Sequence, residues 1–243
     1  FSNVGVGTHT IVVTDSFGCT ATISNITIAP QLTAAITNIK ELDCTSSPNA
    51  VITGTITGGN APFVVTVLSG TGPGTLAQPT ATTFTYTTAV ASSYQFQIQD
   101  AQGCVATATA TINPLVPVTA TTTNVNPGCN GAADGSVQIT PSGGVGPYTY
   151  SFNGSSFTST SLYSGLSAGI AYAYEVRDSK NCPFTGTVTL TQPTALVALA
   201  TATAFSCSAT NTKQSATTTI AVPTTGTAPY QYSFNGGGYT NTN

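Results

Sequence analysis

Short stretches of alternating apolar and polar residues recur along the chain. In YQFQIQD (94–100) every second residue is aromatic or aliphatic, and glutamines lie between them. PYTYSFNG (147–154) begins with the same alternation. The apolar positions of the two stretches are Tyr94, Phe96, Ile98, Tyr148, Tyr150 and Phe152. A period of two with one apolar face predicts β-strands that pack one face on a core and expose the other to water.

The same pattern predicts the strands of residues 116–194 individually. They are expected at 117–126, 135–142, 147–153, 157–163, 171–178 and 183–191. A series of short strands separated by turns rich in Gly, Pro and Asn is typical of an immunoglobulin-like or fibronectin-type β-sandwich. We therefore expect an all-β protein.

The chain repeats itself at regular spacing. GVGPYTYSFNG (144–154) returns as GTAPYQYSFNG (226–236). Three turn motifs, DSFGC, DAQGC and DSKNC, begin 85 and then 78 residues apart, and Cys44, Cys129 and Cys207 keep the same two offsets. Such self-similarity indicates tandem copies of one domain of about 80 residues.

The repeat register divides the chain into four segments. Residues 31–115 and 116–194 are expected to be complete β-sandwich repeats. Residues 1–30 would be the C-terminal strands of a preceding repeat, and residues 195–243 the N-terminal strands of a following one, so we expect a window from a longer array. About seven extra residues around SGTGPGTLAQP lengthen the first complete repeat, and we expect them to form a loop insertion.

Each turn motif opens with an aspartate that is expected to cap backbone N–H groups of a tight turn. These aspartates are Asp15, Asp100 and Asp178. Gly18 and Gly103, three residues after the aspartate, are expected to adopt positive φ. Asn181 takes that position in the third copy, and asparagine is the residue that tolerates it best after glycine.

The composition excludes several classes of function. Only 5% of the residues are charged, and four basic residues leave a net charge of −3. Such a chain cannot neutralise a run of phosphates or an anionic membrane surface, so neither nucleic-acid binding nor membrane docking is expected. No apolar stretch is long enough to span a membrane. Six cysteines without metal-ligand spacing indicate disulfides and an oxidising compartment.

The second complete repeat contains four motifs in a fixed order. They are a Cys-x-Gly-x-x-Asp-Gly opening, a Gly-Gly-x-x-Pro-Tyr-x-Tyr block, a Leu-x-x-Gly corner and a closing Asp-x-x-x-Cys. The residues that carry them are Cys129, Gly131, Asp134, Gly135, Gly143, Gly144, Pro147, Tyr148, Tyr150, Leu166, Gly169, Asp178 and Cys182. In these motifs the chain resembles the SprB-type repeat of giant surface adhesins from gliding Bacteroidetes. The first complete repeat departs from the motifs at Thr45–Asn49 and Phe63 but keeps the cysteine positions.

The resemblance implies a long exported protein, secreted by the type 9 system and displayed on the extracellular side of a bacterial cell. It implies a role in adhesion and gliding motility, with no catalytic residue and no cofactor. Partners that suit this role are neighbouring repeats, a surface polysaccharide or substratum, and the outer-membrane secretion and motility machinery.

The cysteines allow three arrangements. Cys44 and Cys129 lie in the loop after the first strand of a repeat, here called the first loop, whereas Cys19, Cys104 and Cys182 close the turn before its last strand, here called the last turn. In a sandwich these two positions lie at opposite ends, about 20 Å apart, but a disulfide needs Cα atoms within about 7 Å.

Because of this distance, the topology favours a bond between successive repeats, Cys44 with Cys182. Cys19, Cys104, Cys129 and Cys207 would then pair with cysteines outside the segment. Pairing inside each repeat, Cys44 with Cys104 and Cys129 with Cys182, and free or mixed thiols are the alternatives.

Candidate chemistry is sparse. The single histidine, His9, aligns with Tyr94 and Tyr172 in the repeat register, so we expect a local hydrogen bond and not a metal or catalytic role. A calcium site formed by Glu41, Asp43 and the turn acids of a neighbouring copy is a weaker alternative to turn capping. We expect no catalytic residue, no metal and no cofactor.

Three functions fit the sequence. The repeats could form an extended, disulfide-stabilised stalk in a surface adhesin. They could instead be weak carbohydrate- or surface-binding modules that act by avidity, through loops such as 68–79 or 153–161 and aromatics such as Phe157 and Tyr239. They could also be the spacer of a secreted enzyme.

Overall fold

The computed structural model describes residues 1–241, which form 19 β-strands. Residues 1–30 contain β1 (Gly7–Thr14) and β2 (Thr20–Ile28). The first complete repeat contains β3 (Thr33–Lys40), β4 (Ala50–Thr57), β5 (Val64–Ser69), β6 (Gly74–Thr80), β7 (Thr83–Thr88), β8 (Ser92–Gln99) and β9 (Val105–Ile112). The second contains β10 (Val118–Val125), β11 (Gly135–Gly143), β12 (Thr149–Phe152), β13 (Leu162–Leu166), β14 (Ala171–Arg177) and β15 (Pro183–Thr189). The last segment contains β16 (Ala200–Ala202), β17 (Ser206–Cys207), β18 (Lys213–Gln214) and β19 (Thr218–Ile220).

The chain divides into two compact units that do not follow the repeat boundaries. The first unit consists of Phe1–Pro117 together with Gly144–Gly146 and Asp178–Cys182. The second consists of Val118–Gly143, Pro147–Arg177 and the residues from Pro183 onward. Two short segments of the second repeat therefore belong to the compact unit of the first.

The first repeat is a two-sheet sandwich. Antiparallel pairing joins β3, β4, β7 and β6 in that order in one sheet, and β5, β8 and β9 in the other. This is the strand order of a seven-stranded immunoglobulin domain. The expected fold class, all-β with immunoglobulin-like sandwiches, is confirmed.

The predicted apolar face of β8 lies in the core. Tyr94, Phe96 and Ile98 are almost fully buried. The rings of Tyr94 and Phe96 pack on aromatics of β7, with 5.1 Å between the ring centroids of Phe84 and Phe96 and also between those of Tyr86 and Tyr94. Tilted aromatic pairs of this kind contribute about 0.5–1.5 kcal/mol beyond the area they bury.

A glycine makes room for one of these rings. Gly54 on β4 pairs with Phe84 on β7, and a Cβ atom at Gly54 would lie 2.2 Å from Cζ of the Phe84 ring. The second sandwich has the same arrangement, since Gly186 on β15 pairs with Tyr174 on β14. In both sandwiches the absent side chain lets an aromatic ring cover the neighbouring strand.

The second repeat is a sandwich of six strands. One sheet has the order β10, β11, β13, and the other has the order β12, β14, β15. Its buried side chains include Val137, Ile139, Tyr150, Phe152, Tyr172, Val176 and Leu190. Tyr148 is only partly buried, at the margin of this core, and its hydroxyl donates to the Gly143 carbonyl at 2.5 Å.

Two predictions about strands need correction. The middle strand expected at 157–163 lies at Leu162–Leu166, because Thr158 makes an isolated bridge to Tyr150 instead. The extra residues of the first repeat are not only a loop, because Gly74–Thr80 form β6, which pairs with β7 at the sheet edge. An unpaired sheet edge accepts an added strand, since its N–H and C=O groups are free to bond.

The segments at the two ends have little core of their own. The β1–β2 hairpin exposes Val12, Val13 and Ile23, and the segment after residue 195 exposes Phe205 and Phe234. The four strands β16 to β19 are only two or three residues long. Within residues 1–241 no helix is long and apolar enough to cross a membrane.

Gly54→Ala is expected to destabilise the first sandwich by about 1–3 kcal/mol, because the added methyl group collides with the buried Phe84 ring. Urea unfolding followed by tyrosine fluorescence measures the change. Gly5→Ala is the control, since nothing lies within 4 Å of a Cβ atom there, and it should change stability by less than about 0.5 kcal/mol. Equal unfolding midpoints for both variants would contradict this account of the core.

Candidate functional site

A disulfide bond joins two of the sequence repeats. Cys44, in the first loop after β3, bonds Cys182, in the last turn between β14 and β15, with 4.8 Å between the two Cα atoms and 138 residues between them in sequence. The Cys44 N–H also donates to the Lys180 carbonyl at 2.9 Å. This is the pairing that the topology favours, and the bonds inside each repeat, Cys44–Cys104 and Cys129–Cys182, are not formed.

The bond belongs to a cluster that we call the joint. It consists of the first loop at 41–49, the loop at 144–146 and the last turn at 178–182. All three segments lie in the first compact unit.

The Asp178 carboxylate organises the last turn. It is only 5% exposed, and its Oδ1 accepts from the N–H groups of Lys180 at 2.9 Å and Cys182 at 2.8 Å. Its Oδ2 accepts from the Val145 N–H at 3.0 Å. Ser179 adds two bonds to the Val145 carbonyl, from its N–H and its hydroxyl, both at 2.8 Å. One side chain thus fixes the backbone that carries Cys182 and ties it to the loop at 144–146.

Asp100 has the same environment in the first repeat. Its Oδ1 accepts from Gln102 and Cys104, each at 2.9 Å, and its Oδ2 accepts from Asn60 at 3.0 Å. Burial raises the pKa of Asp100, but the N–H donors of Asn60, Cys104 and Gln102 outweigh it and hold the pKa below its usual value. Asp15 accepts from Phe17 and Cys19 at 2.9 and 2.8 Å.

The backbone of these turns has the predicted conformation. Gly18 and Gly103 have φ of 82° and 84°, and Asn181 has φ of 59°. In the neighbouring loop of the second repeat Gly143 and Gly144 also have positive φ, 70° and 61°. Pro147 follows that loop two residues before β12 begins.

A lysine just before the first loop binds three residues of that loop. Lys40 Nζ bonds Asp43 Oδ2 at 2.8 Å and the carbonyl oxygens of Ser47 and Asn49 at 2.9 and 3.0 Å. The hydrogen bond from Lys40, helped by that from Thr45, lowers the pKa of Asp43 from 3.8 to about 2. The role of Lys40 was not predicted from the sequence, although a lone lysine at the end of a strand and just before two acids was a usable signal.

A polar side chain ties the first loop to the segment that directly follows the last strand of its own repeat. Glu41 accepts from the backbone N–H and the side-chain amide of Asn113, at 3.0 and 3.2 Å. In the second repeat Asn126 takes this position and accepts from the Thr191 N–H at 3.1 Å. Each first loop is thereby anchored to its own sandwich.

The other candidate residues have structural roles. His9 Nε2 lies 2.7 Å from the Gly5 carbonyl oxygen, a local hydrogen bond. Glu41 and Asp43, considered for calcium, are engaged with Asn113 and Lys40. Among residues 1–241 no three His, Cys, Asp or Glu residues are grouped so that they could hold a metal ion.

Four cysteines remain unbonded in the part of the chain that the structure describes. Cys19, Cys104, Cys129 and Cys207 are all exposed. The geometry of the joint therefore accounts for two of the six cysteines.

A family model named SprB repeat matches residues 119–157. The chain carries a SprB-type repeat region. The match runs from β10 past β12 and includes Cys129 but not the last turn or either cysteine of the disulfide. Repeats of this type are typical of surface adhesins.

Other comparisons add little. No curated protein matches the chain. Among solved structures, one match is the C-terminal 282-residue fragment of intimin in complex with the intimin-binding domain of its translocated receptor, at 17% identity and a TM-score of 0.33. The match covers 69% of this chain and 66% of the fragment, slightly less than two thirds of its length. A similarity at this level supports no inference about function.

The carboxyl group of Asp43 is expected to titrate with a midpoint near pH 2 in the folded chain. Because the folded pKa is lower than the unfolded one, this group stabilises the first loop above about pH 4, and the contribution is lost as the pH falls towards 2. Carbon-detected NMR of the Asp43 carboxyl group measures the midpoint.

Lys40→Met should raise this midpoint towards 3.8, because it removes the main hydrogen bond. Lys213→Met removes a lysine that lies over the Phe205 ring and serves as the control, which should leave the midpoint unchanged. A midpoint insensitive to Lys40→Met would contradict the role given to Lys40.

Reducing the disulfide is expected to lengthen the fully stretched chain by roughly 480 Å, since 138 residues separate the cysteines and an extended residue spans about 3.5 Å. Force spectroscopy with handles at both chain ends, before and after dithiothreitol, measures the difference. Oxidised Cys44→Ser should already show the longer length, and Cys129→Ser should keep the shorter one. Equal lengths in both redox states would refute the bond.

Proposed function

We propose that this chain is a non-catalytic segment of a long cell-surface adhesin, in which stapled β-sandwich repeats form a stalk for adhesion and gliding motility. The observation that carries the proposal is the Cys44–Cys182 bond, which closes a loop of 138 residues across two successive repeats. A bond inside one domain would stabilise that domain alone. A bond between successive repeats stabilises the connection between them.

Covalent connectivity determines where tension acts. A pull on the chain reaches Cys44 directly after β3, crosses the disulfide to Cys182 and leaves through β15. The residues between 45 and 181 are not on this shortest covalent path. Most of both cores can then remain folded while the chain transmits force, which suits a stalk.

The residue types of the chain also suit an exported surface protein. Disulfides persist in oxidising compartments and are rare in the cytosol. The SprB-type region favours display on a bacterial cell surface and export by the type 9 system. The partners proposed for the stalk are neighbouring repeats, the substratum or its polysaccharide, and the outer-membrane machinery.

A non-catalytic role accords with the side chains present. The one histidine bonds a backbone carbonyl, and the buried acids Asp100 and Asp178 are engaged by turn N–H groups. Within residues 1–241 we find no nucleophile and base arranged for catalysis. A spacer segment of a secreted enzyme would also lack catalytic residues. It is a less specific version of the stalk hypothesis.

A second candidate function is carbohydrate binding by the second repeat. A shallow depression on the sheet of β12, β14 and β15 is lined by Ser151, Ala173, Glu175, Thr185 and Thr187, among others. The first repeat has Gln95 and Gln97 at the positions of Ala173 and Glu175 in the repeat register. Hydroxyl and carboxylate groups around a small apolar floor suit a weak sugar contact.

Phe157, the aromatic residue expected to bind, is half-buried, and its ring is already covered by another side chain. The Arg177 guanidinium lies 4.2 Å from the centre of its ring and donates to Glu175 at 2.7 Å. The ring is therefore less free to stack on a sugar, and we rank binding below the stalk.

Replacing Cys44 and Cys182 by serine in the producing bacterium should weaken adhesion under flow while surface display stays normal, because the connection between the repeats is no longer covalent. Antibody labelling measures display, and the shear needed to detach cells measures adhesion. The matched control is the double variant Thr107→Ser and Thr109→Ser, which alters exposed hydroxyls of β9. Unchanged detachment in the cysteine variant would overturn the stalk proposal.

Purified chain added as a competitor separates the two functions. A stalk segment should not inhibit cell adhesion at any concentration. Inhibition by the purified chain would support the binding-module hypothesis instead.

A further inference from the structure

Two of the unbonded cysteines lie at the same positions in their repeats as the two cysteines of the disulfide. In the repeat register Cys129 corresponds to Cys44 and Cys104 corresponds to Cys182. Both are exposed and have no disulfide partner within residues 1–241. Exposure alone would say nothing about a partner, but their surroundings repeat those of the joint.

The last turn of the first repeat is already formed. The hydrogen bonds of the Asp100 carboxylate to Gln102, Cys104 and Asn60 match those of Asp178 to its own turn and loop, to within about 0.1 Å. Ala101 donates to the Asn60 carbonyl at 2.9 Å, as Ser179 does to Val145 at 2.8 Å. The backbone around Cys104 therefore has the same hydrogen bonds as the backbone around Cys182, but Cys104 forms no disulfide.

The first loop of the second repeat is also formed. Asn126 anchors it to Thr191 as Glu41 anchors the other first loop to Asn113. Asp134 Oδ1 accepts from the Gly128 N–H at 3.2 Å within the loop. Cys129 therefore lies in a loop whose backbone is fixed by hydrogen bonds.

A cavity beside Cys129 supplies an independent observation. It has a volume of about 520 Å³ and is lined by Cys129, Asn130, residues 193–196, Gly226 and Thr227, among others. Gly226 and Thr227 correspond to Gly144 and Val145 of the joint. Two of the three parts of a joint, a first loop and a neighbouring glycine loop, therefore already lie together around an open space.

The missing third part defines the occupant. In the joint the space between Cys44 and Val145 is bridged by the last turn, which bonds both. No hydrogen bond joins the backbone of Thr227 to any of residues 1–241. The cavity thus offers a cysteine on one side and free backbone groups on the other.

We propose that this cavity binds a last turn of sequence Asp-x-x-Gly/Asn-Cys from another repeat of this kind, and that Cys129 forms a disulfide with its cysteine. Cys104 is the complementary half and bonds a first-loop cysteine in the same way. Each repeat then carries one half of a joint at each end. The inference rests on the proposed stalk, in which joints of one kind recur.

The chemistry is thiol–disulfide exchange with a disulfide oxidant, either a small molecule or an oxidase. The Cys129 thiolate attacks the oxidant and releases one of its two thiols as a mixed disulfide forms. The cysteine of the incoming turn, after losing its proton, displaces the second thiol. Two cysteine thiols are oxidised to one disulfide, and one oxidant disulfide is reduced to two thiols.

Non-reducing peptide mapping of the protein from its producing cells, with thiols alkylated at lysis, tests the proposal. We expect the Cys129 peptide linked to a peptide ending in Asp-x-x-Gly/Asn-Cys, and the Cys104 peptide linked to a first-loop peptide. The Cys44–Cys182 link is the internal positive control. Alkylated Cys129, a Cys129–Cys182 link, or Cys129 carrying only a small thiol would each overturn the inference.

Two further measurements complete the test. Cys129→Ser should leave the Cys44–Cys182 link intact and leave one last-turn cysteine newly alkylated. Non-reducing electrophoresis identifies the source of that turn, because a turn of the same chain leaves a monomer and a second chain gives a covalent dimer. Peptide mapping detects disulfide bonds and not adhesion. If mapping shows no Cys129 disulfide of this kind, the inference fails, while the flow experiment on Cys44 and Cys182 still decides the stalk proposal separately.

Discussion

One buried carboxylate, Asp178, is the constraint on which the joint depends. Its two oxygens accept three backbone N–H groups, which fix the last turn, hold the loop at 144–146 against it and position Cys182. A disulfide forms only when its Cα atoms are within a narrow range, and those of Cys44 and Cys182 are 4.8 Å apart. Asp178 therefore fixes the backbone on one side of the covalent bond, and Lys40 holds the first loop on the other side.

The bond changes the unfolded state more than the folded one. In the chain-entropy model, closing a loop of 138 residues lowers the entropy of the unfolded chain by an amount equivalent to about 5 kcal/mol. That magnitude is comparable with the entire net stability of a small domain. A chain with only 5% charged residues has few surface ion pairs to add, and such pairs contribute little in any case. The disulfide is accordingly a large addition to the stability that the buried cores provide.

Sequence reasoning succeeded where a single physical rule decides the outcome. The alternation in YQFQIQD placed Tyr94, Phe96 and Ile98 in the core, because a strand has a period of two. It failed where a distant contact decides. Nothing in Gly74–Thr80 taken alone reveals a strand, because β6 exists only by pairing with the edge of β7. Lys40 was missed for a different reason. Its partner Asp43 is only three residues away and could have been predicted, but its contacts with the Ser47 and Asn49 carbonyl groups depend on how the first loop folds back.

The repeats can diverge because the joint makes few demands on sequence. It requires a cysteine in the first loop and an aspartate four residues before the cysteine of the last turn. It also requires a loop residue like Val145, whose N–H donates to that aspartate and whose carbonyl accepts from the residue after it. The first repeat has an edge strand, β6, that the second repeat lacks, and yet its Asp100 turn has the same bonds as the Asp178 turn. The sheet faces differ equally freely, with glutamines on β8 where β14 has Ala173 and Glu175. Two repeats that share the aspartate turn and differ on their sheet faces are consistent with an array whose mechanical connections are fixed while its contacts with the surroundings vary.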